Sequence, residues 1–197
     1  MKDAGLKSVI RKKKKRYVKS TPQHISANIL NRNFKADSTN EKWVTDITEL
    51  KYGSKKAYLS AILDLHDNSI VSYVIGHSNN NELVFNTLDK ALDVAPGAAS
   101  LLHSDRGFQY TSKGFRRKIE DAQMTHSMSR VGKCIDNAPM ESFFGTLKCE
   151  KYYLHGTYKT FNELKESIDE YIFFYNYKRL QAKLGAKSPM EYRRQAS

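Results

Sequence analysis

The sequence predicts a mixed α/β domain, and three observations carry that expectation. Trp43 to Leu50 is rich in β-branched and aromatic residues, as a strand requires. Two more strand-like runs follow directly, and short strands then alternate with amphipathic helical stretches. That order gives a mixed plan with an antiparallel opening.

The elements follow in order. Lys56 to Leu65 and Ser69 to Gly76 read as the second and third strands, and Asp67-Asn68 between them is good hairpin-turn chemistry. From Asn81 to Val94, Leu83, Val84, Leu88, Ala91 and Leu92 recur at helical spacing, and Pro96-Gly97 ends the run. Leu101-Leu102-His103 is a short strand that runs straight into Ser104-Asp105-Arg106-Gly107. Thr111 to Gln123 reads as a helix and Met124 to Met128 as a short strand. After a flexible stretch, Ser129-Arg130-Val131-Gly132-Lys133, a helix opens at Asp136-Asn137-Ala138-Pro139, with capping residues ahead of a first-turn proline. Its Met140, Phe143, Phe144 and Leu147 share a buried side, and Glu141 and Lys148 share a more exposed one. A final helix spans Phe161 to Tyr177.

Charge divides the chain further. The formal net charge is +12, and residues 1–40 hold +9 of it, from eleven Lys/Arg against two acids. Such a surplus favours a polyanion, either nucleic acid or an anionic membrane surface. The densest run, Arg11-Lys12-Lys13-Lys14-Lys15-Arg16, lacks the interleaved apolar face that a membrane anchor needs, which favours nucleic acid. Six adjacent like charges repel, so the run is expected to stay extended until it meets phosphate; a solubilising tail is the plainer reading. Hence residues 1–40 are assigned to a partly disordered basic extension, 41–180 to a catalytic core and 181–197 to a C-terminal tail. No apolar run approaches a membrane span and no signal core follows the basic N-terminus. Cys134 and Cys149 form no disulfide framework or zinc spacing, so a reducing, cytoplasmic setting is expected.

Three acids then stand out. Asp46 lies mid-strand, where an acid is disfavoured, and alternates with Val44 and Thr48 on a covered face. Asp105 sits just past a strand end, the usual place for ligands in α/β proteins. Glu141 occupies a first helical turn, where the helix dipole favours a carboxylate. Singly, each is more often a turn, cap or ion-pair residue. Jointly, two aspartates on adjacent strands and a glutamate on a neighbouring helix suit two hard cations, Mg²⁺ or Mn²⁺, and phosphodiester chemistry.

These residues bring a family into view. The chain resembles the catalytic subunits of bacterial insertion-sequence transposases of the retroviral-integrase type. The matching pieces are Trp43-Val44-Thr45-Asp46-Ile47-Thr48, the run His103 to Ser112, and Ser127-Met128-Ser129-Arg130 leading into Asp136-Asn137-Ala138-Pro139-Met140-Glu141-Ser142-Phe143-Phe144. Leu147-Lys148, Tyr175-Asn176-Tyr177-Lys178-Arg179 and Ser188-Pro189 complete them, and 35 residues separate Asp105 from Glu141. The resemblance implies an RNase H-like fold, a five-stranded mixed sheet flanked by helices. It also implies cleavage at the ends of a mobile element, then attack by the freed 3′-hydroxyl on target DNA. By position Asp46, Asp105 and Glu141 take the metal-ligand roles and Lys148 touches DNA. Pairing two DNA ends implies a homo-oligomer working on the bacterial nucleoid. Relatives carry an N-terminal helix-turn-helix region; this chain begins in the basic linker expected to follow it, which puts specific recognition of terminal repeats in doubt. Two competing readings are a nuclease that hydrolyses without joining and a non-catalytic DNA-binding or regulatory derivative of a transposase.

Smaller signals keep two readings each. Arg130 and Lys133, in the glycine-containing stretch, suit phosphate contact or a solvated loop. His103 suits a structural hydrogen bond better than a metal. Tyr110 and Phe108 suit base stacking or core packing. Tyr152, Tyr153, Tyr171, Phe173, Phe174, Tyr175 and Tyr177 are expected mostly in the core or in helix packing.

Overall fold

The computed structural model describes residues 24–195, so the basic run Arg11 to Arg16 lies outside the described residues. Strands β1 (Lys42–Tyr52), β2 (Lys55–Asp64) and β3 (Ile70–Gly76) form an antiparallel meander. Asn68, at φ 60°, turns β2 into β3, a left-handed conformation that asparagine tolerates. Helix α1 (Asn81–Val94) then crosses one face, capped by Asn80, whose side chain accepts from the Leu83 N–H. Strand β4 (Leu101–Ser104) pairs parallel with β1, and β5 (Thr125–Met128) pairs parallel with β4. The sheet is the expected five-stranded mixed one, in the order β3-β2-β1-β4-β5.

Both faces are covered, because β1 alternates between two cores. Val44, Leu50 and Tyr52 pack with Phe143, Leu147, Ile168 and Ile172. Trp43 turns the other way, to Val84, Leu88, Phe115 and Ile119. The second face therefore carries α1 and α2 (Lys113–Asp121), and the first carries α3 (Ala138–Leu147) and α5 (Phe161–Tyr177). A π turn, Lys148–Tyr152, leads from α3 into the short α4 (Tyr153–His155). No described helix is long and apolar enough to cross a membrane.

Several expectations need correction. The helix expected over 111–123 starts at Lys113, because Ser112 accepts the Phe115 N–H and caps it. The helix expected to open at Asp136 starts at Ala138, behind a 3-10 turn, Cys134–Asn137. Asn137 does not cap it; its side chain turns to the sheet instead. Of the seven aromatics assigned mostly to the core or to helix packing, Tyr153, Phe173, Phe174 and Tyr177 are exposed. On α5 the inward stripe is Leu164, Ile168, Tyr171, Ile172 and Tyr175, and Phe173, Phe174 and Tyr177 fall outside it.

The flanks are also structured where they are described. Residues 24–34 lie along β5: Met128 N–H donates to the Ala27 carbonyl, the Ile29 and Leu30 N–H groups donate to Ser127 Oγ, and Leu30 is buried. This segment shields an edge strand that would otherwise expose unpaired backbone. At the other end, α6 (Pro189–Gln195) begins with a capping box, in which Ser188 and Glu191 satisfy each other. Its Arg193 reaches two fully buried carboxylates, Asp64 and Asp67, at 2.5 Å each.

Asp64 is pushed above its ordinary pKa, chiefly by burial, so this corner carries charge that only a well-placed cation offsets. Arg193→Ala is expected to cost about 3–5 kcal/mol, the range for orphaning a buried charge. Urea unfolding measures it; a loss under about 1 kcal/mol would place Arg193 among surface ion pairs.

Candidate active site

The two aspartates are neighbours because of strand register. Val44 of β1 pairs with His103 of β4, and the strands run parallel. Asp46 and Asp105 each lie two residues further on, Asp105 just past the end of β4, so alternation directs both to the same face. Asp46 shares its face with Val44 and Leu50, the face that α3 covers. The start of α3 is tied down there: Asn137 Nδ2 donates to the Thr45 carbonyl at 3.0 Å. One turn later Glu141, exposed, looks into the same space.

Together these residues line a cleft of ≈ 500 Å³, with Arg106, Gly107, Arg130, Gly132, Lys133 and Asn137 on its wall. A larger cleft of ≈ 630 Å³ runs along β3, but its Lys165 and Asp169 already pair with each other and no set of acids converges in it. Chemistry, not size, therefore selects the first.

The floor and rim are built by hydrogen bonds. Asp105 Oδ1 accepts the Gly107 N–H at 2.8 Å; a Cβ on Gly107 would meet that same oxygen at 3.0 Å, so a larger residue there would press on the carboxylate. Tyr110 is buried beneath, its hydroxyl against Thr45 Oγ1, which settles it as core rather than a stacking platform. Phe108 is 40% exposed and remains on the outside. His103 is fully buried, with Nδ1 and Nε2 each against a serine, Ser127 and Ser129. Burial pushes its pKa down to about 4, so it is neutral and structural. Arg106, which sequence reading passed over, joins β4 to β5 by donating to the Ser129 carbonyl at 2.7 Å.

Charge at the site is unbalanced. Asp46 is half-buried, and its pKa rises to about 7, first from burial, then from the Asp105 charge, with Glu141 adding and the Ile47 N–H and Lys148 opposing. Asp105 is raised too, by burial of its carboxyl, with the Gly107 N–H opposing, although the residue as a whole is exposed at the lip of the cleft. Lys148 does not line the cleft but stands close enough for its charge to reach Asp46.

The loop opposite is the reverse case. Asp136 is inaccessible and accepts from Arg130 through N–H, Nε and Nη2, from Arg32 Nε and from Asn28 Nδ2. These bonds, those of Arg130 foremost, hold its carboxyl far below the usual range. Arg130 is thus anchored and Lys133 is exposed on the same loop, which turns at Gly132 with φ 69°.

The donor set fits a divalent cation in kind: three carboxylates of hard oxygen line one cleft, and burial raises two of them. Asn137 Oδ1, buried and without a hydrogen-bond partner, lines the same cleft as a further oxygen. As placed, the side chains stand apart: among the described residues no three His, Cys, Asp or Glu are gathered tightly enough to hold an ion.

Because the folded pKa of Asp46 exceeds its ordinary 3.8, the folded chain binds that proton more tightly than the unfolded one. The associated stability is present below the ordinary value and is lost as pH rises through about 7. Asp46→Asn in chelator is therefore expected to raise Tm at about pH 8 by on the order of 5 °C, the gap closing near about pH 4. Thermal melts at both pH values check it, and a lower Tm at the higher pH would mean the carboxylate is paired.

The chain is similar to known proteins. Models of the integrase core domain match residues 36–134 and 141–196. A transposase-like protein of Haemophilus influenzae is 43% identical over 98% of this chain and 88% of its own length. The InsK protein of insertion sequence element IS150 in Escherichia coli (strain K12), named as a transposase, is 40% identical over 97% of this chain and 68% of its own. Among solved structures, the simian T-cell lymphotropic virus intasome matches with TM-score 0.71 at 18% identity, over 89% of this chain and 59% of that one. The HTLV-2 integrase catalytic core in complex with magnesium matches with TM-score 0.65 at 17% identity, over 79% and 97%. The sheet order, flanking helices and these neighbours make the fold RNase H-like. The chain belongs to the integrase core domain family, as the catalytic domain of an insertion-sequence transposase.

Proposed function

We propose that this chain cuts DNA at the ends of its mobile element and joins the freed 3′-hydroxyl to target DNA, with Asp46, Asp105 and Glu141 as its catalytic carboxylates. The observation that carries this reading is the shared cleft, lined by Asp46 of β1, by Asp105 just past the end of the neighbouring parallel strand and by helix-borne Glu141, the charges of the last two reaching Asp46. The three acids would hold two divalent ions, Mg²⁺ or Mn²⁺. When bound, such ions activate an attacking oxygen and stabilise a leaving one during in-line displacement. The HTLV-2 core's complex with magnesium supports the choice of metal.

The chain's own residues do the rest. Arg106, Arg130 and Lys133 give the rim positive charge, which draws a phosphodiester toward acids that would otherwise repel it. Asn137 holds α3 against β1 and so sets the distance from Glu141 to Asp46. Lys148, one helix face away, lowers the cost of keeping Asp46 ionised and suits contact with DNA. Arg11 to Arg16 supply salt-sensitive, sequence-independent affinity. Each chemical step exchanges one P–O bond for another. In cleavage water oxygen enters and the 3′-oxygen leaves as a hydroxyl; in joining that hydroxyl enters and a target strand's oxygen leaves. No external energy source is needed.

Handling two DNA ends at once calls for at least two copies, and the HTLV-2 core is described in dimeric and trimeric forms. The setting is the bacterial cytoplasm, on nucleoid DNA.

The test is a labelled duplex carrying the element's own terminal sequence, incubated with Mn²⁺ and either the parent chain or Glu141→Gln. Nicked and joined products are expected from the parent only, and Glu141→Gln should fold and bind DNA yet fall to the level of a protein-free control. Equal cutting by both would falsify the site; nicking that never yields joined product would point to a nuclease. A second check needs no turnover. Mg²⁺ at about a hundredfold over its Kd should stabilise the parent by about 2.7 kcal/mol and leave an Asp46→Asn, Asp105→Asn double variant unmoved.

A further inference from the structure

We infer that Arg32 and Arg130, locked together by Asp136, form a phosphate-binding fork that seats a DNA backbone phosphate at the rim of the carboxylate cleft. This rests on the DNA-processing function proposed above. Arg32 precedes residue 36, where the integrase core match begins, so nothing in the family match assigns it a role.

The fork is made from two distant parts of the chain. Arg32 belongs to the segment along β5, and Arg130 to the loop that lines the cleft. Both donate to the same Asp136 oxygen, Arg32 Nε at 2.7 Å and Arg130 Nη2 at 2.8 Å, so their guanidiniums lie side by side. Arg130 adds Nε and its backbone N–H on the other oxygen, and Asn28 Nδ2 completes that oxygen's shell.

A purely structural reading leaves three features unexplained. One bidentate arginine already satisfies a buried carboxylate, yet a second is brought in from 104 residues away. The pair then carries a surplus positive charge after Asp136 is neutralised. Both side chains also stay wet, at 43% and 46% exposure, over a carboxylate with 0%. Guanidiniums fixed in orientation with N–H groups still facing solvent are what bidentate phosphate recognition requires. Asp136 is therefore a positioning residue: its buried charge spends no affinity on solvent and prepays the ordering of two long side chains.

The position also suits the chemistry. Arg130 shares its cleft with Asp46, Asp105 and Glu141, so a phosphate on the fork belongs to the strand being cut or to its close neighbour. Exposed Lys133, on the same loop, extends the positive rim.

The experiment measures affinity for a fluorescein-labelled DNA duplex by anisotropy across a salt series, in the Glu141→Gln chain so that the probe is not consumed. Arg32→Gln and Arg130→Gln should each weaken binding severalfold and reduce the slope of log Kd against log salt by about 0.9. Arg32→Lys keeps the charge and loses the fork, so it should keep the slope and still weaken binding. Asp136→Asn discriminates by sign. It makes the rim one unit more positive, so a charge-only role predicts tighter binding, and the fork predicts weaker binding. Should that variant fail to fold, the Arg32 pair decides alone. Wild-type slope and affinity in Arg32→Gln overturn the fork and leave the proposed function standing. No DNA affinity in the unmodified rim overturns both.

Discussion

The parallel pairing of β1 with β4 is the constraint on which the rest of the site depends. Hairpin neighbours β1, β2 and β3 find one another locally, but β4 reaches β1 only after α1 has crossed the sheet. Its register is held from both sides, since Trp43 and Leu102 are buried against one layer and Val44 and His103 against the other. A slip of one residue would send Asp105 to the face opposite Asp46 and break the pair. Packing of apolar residues far from any chemistry thus decides where the carboxylates stand. Asn137 extends the same logic to Glu141, because a single bond to the Thr45 carbonyl ties the helix to the strand.

Among the described residues, arginine meets several acids of this chain but none of the three in the cleft. Asp136, Glu150, Asp64 and Asp67 are each met by arginine. Where the resulting shift is downward, as at Asp136 and Glu150, the guanidinium hydrogen bonds are its main cause. Asp46, Asp105 and Glu141 have no ion pair among the described residues, and Asp46 and Asp105 are raised by burial. The chain is rich enough in lysine and arginine to have paired them. Leaving them unpaired costs stability and keeps their oxygens available, the usual signature of a functional site.

Much of this was legible in the sequence, for local reasons. Strand β1, the helical stripe of α3 and the Asp67-Asn68 turn follow from periodicity and turn chemistry, and of the three acids Asp46 stands out as a charge set mid-strand, where the pattern calls for something else. What was not legible is non-local. Nothing near Asp105 in sequence says that β4 will pair with β1. Asp136 read as a helix-capping residue, yet its partners Arg32 and Asn28 lie more than a hundred residues away. Asn137 read the same way and serves the sheet instead. Other misreadings were avoidable. Spacing along α5 separates Tyr171 and Tyr175 from Phe173, Phe174 and Tyr177, and Ser188-Pro189-Met190-Glu191 carries a capping-box signature that marks a helix in the stretch read as a tail.

The segment before the core changes how the site is understood. Judged by charge it is a linker, but from His24 onward it pairs with its neighbours, satisfies Ser127 and supplies Arg32 to Asp136. Ser127 and Ser129 in turn hold the two nitrogens of His103, directly beside the strand end that bears Asp105. A chain of contacts therefore runs from the end of the basic extension, through β5 and its loop, to the carboxylate wall. The loop carrying Arg130 and Lys133 is thus pinned at one end through Asp136 and Arg32 and at the other by α3, and it turns between them at Gly132, φ 69°.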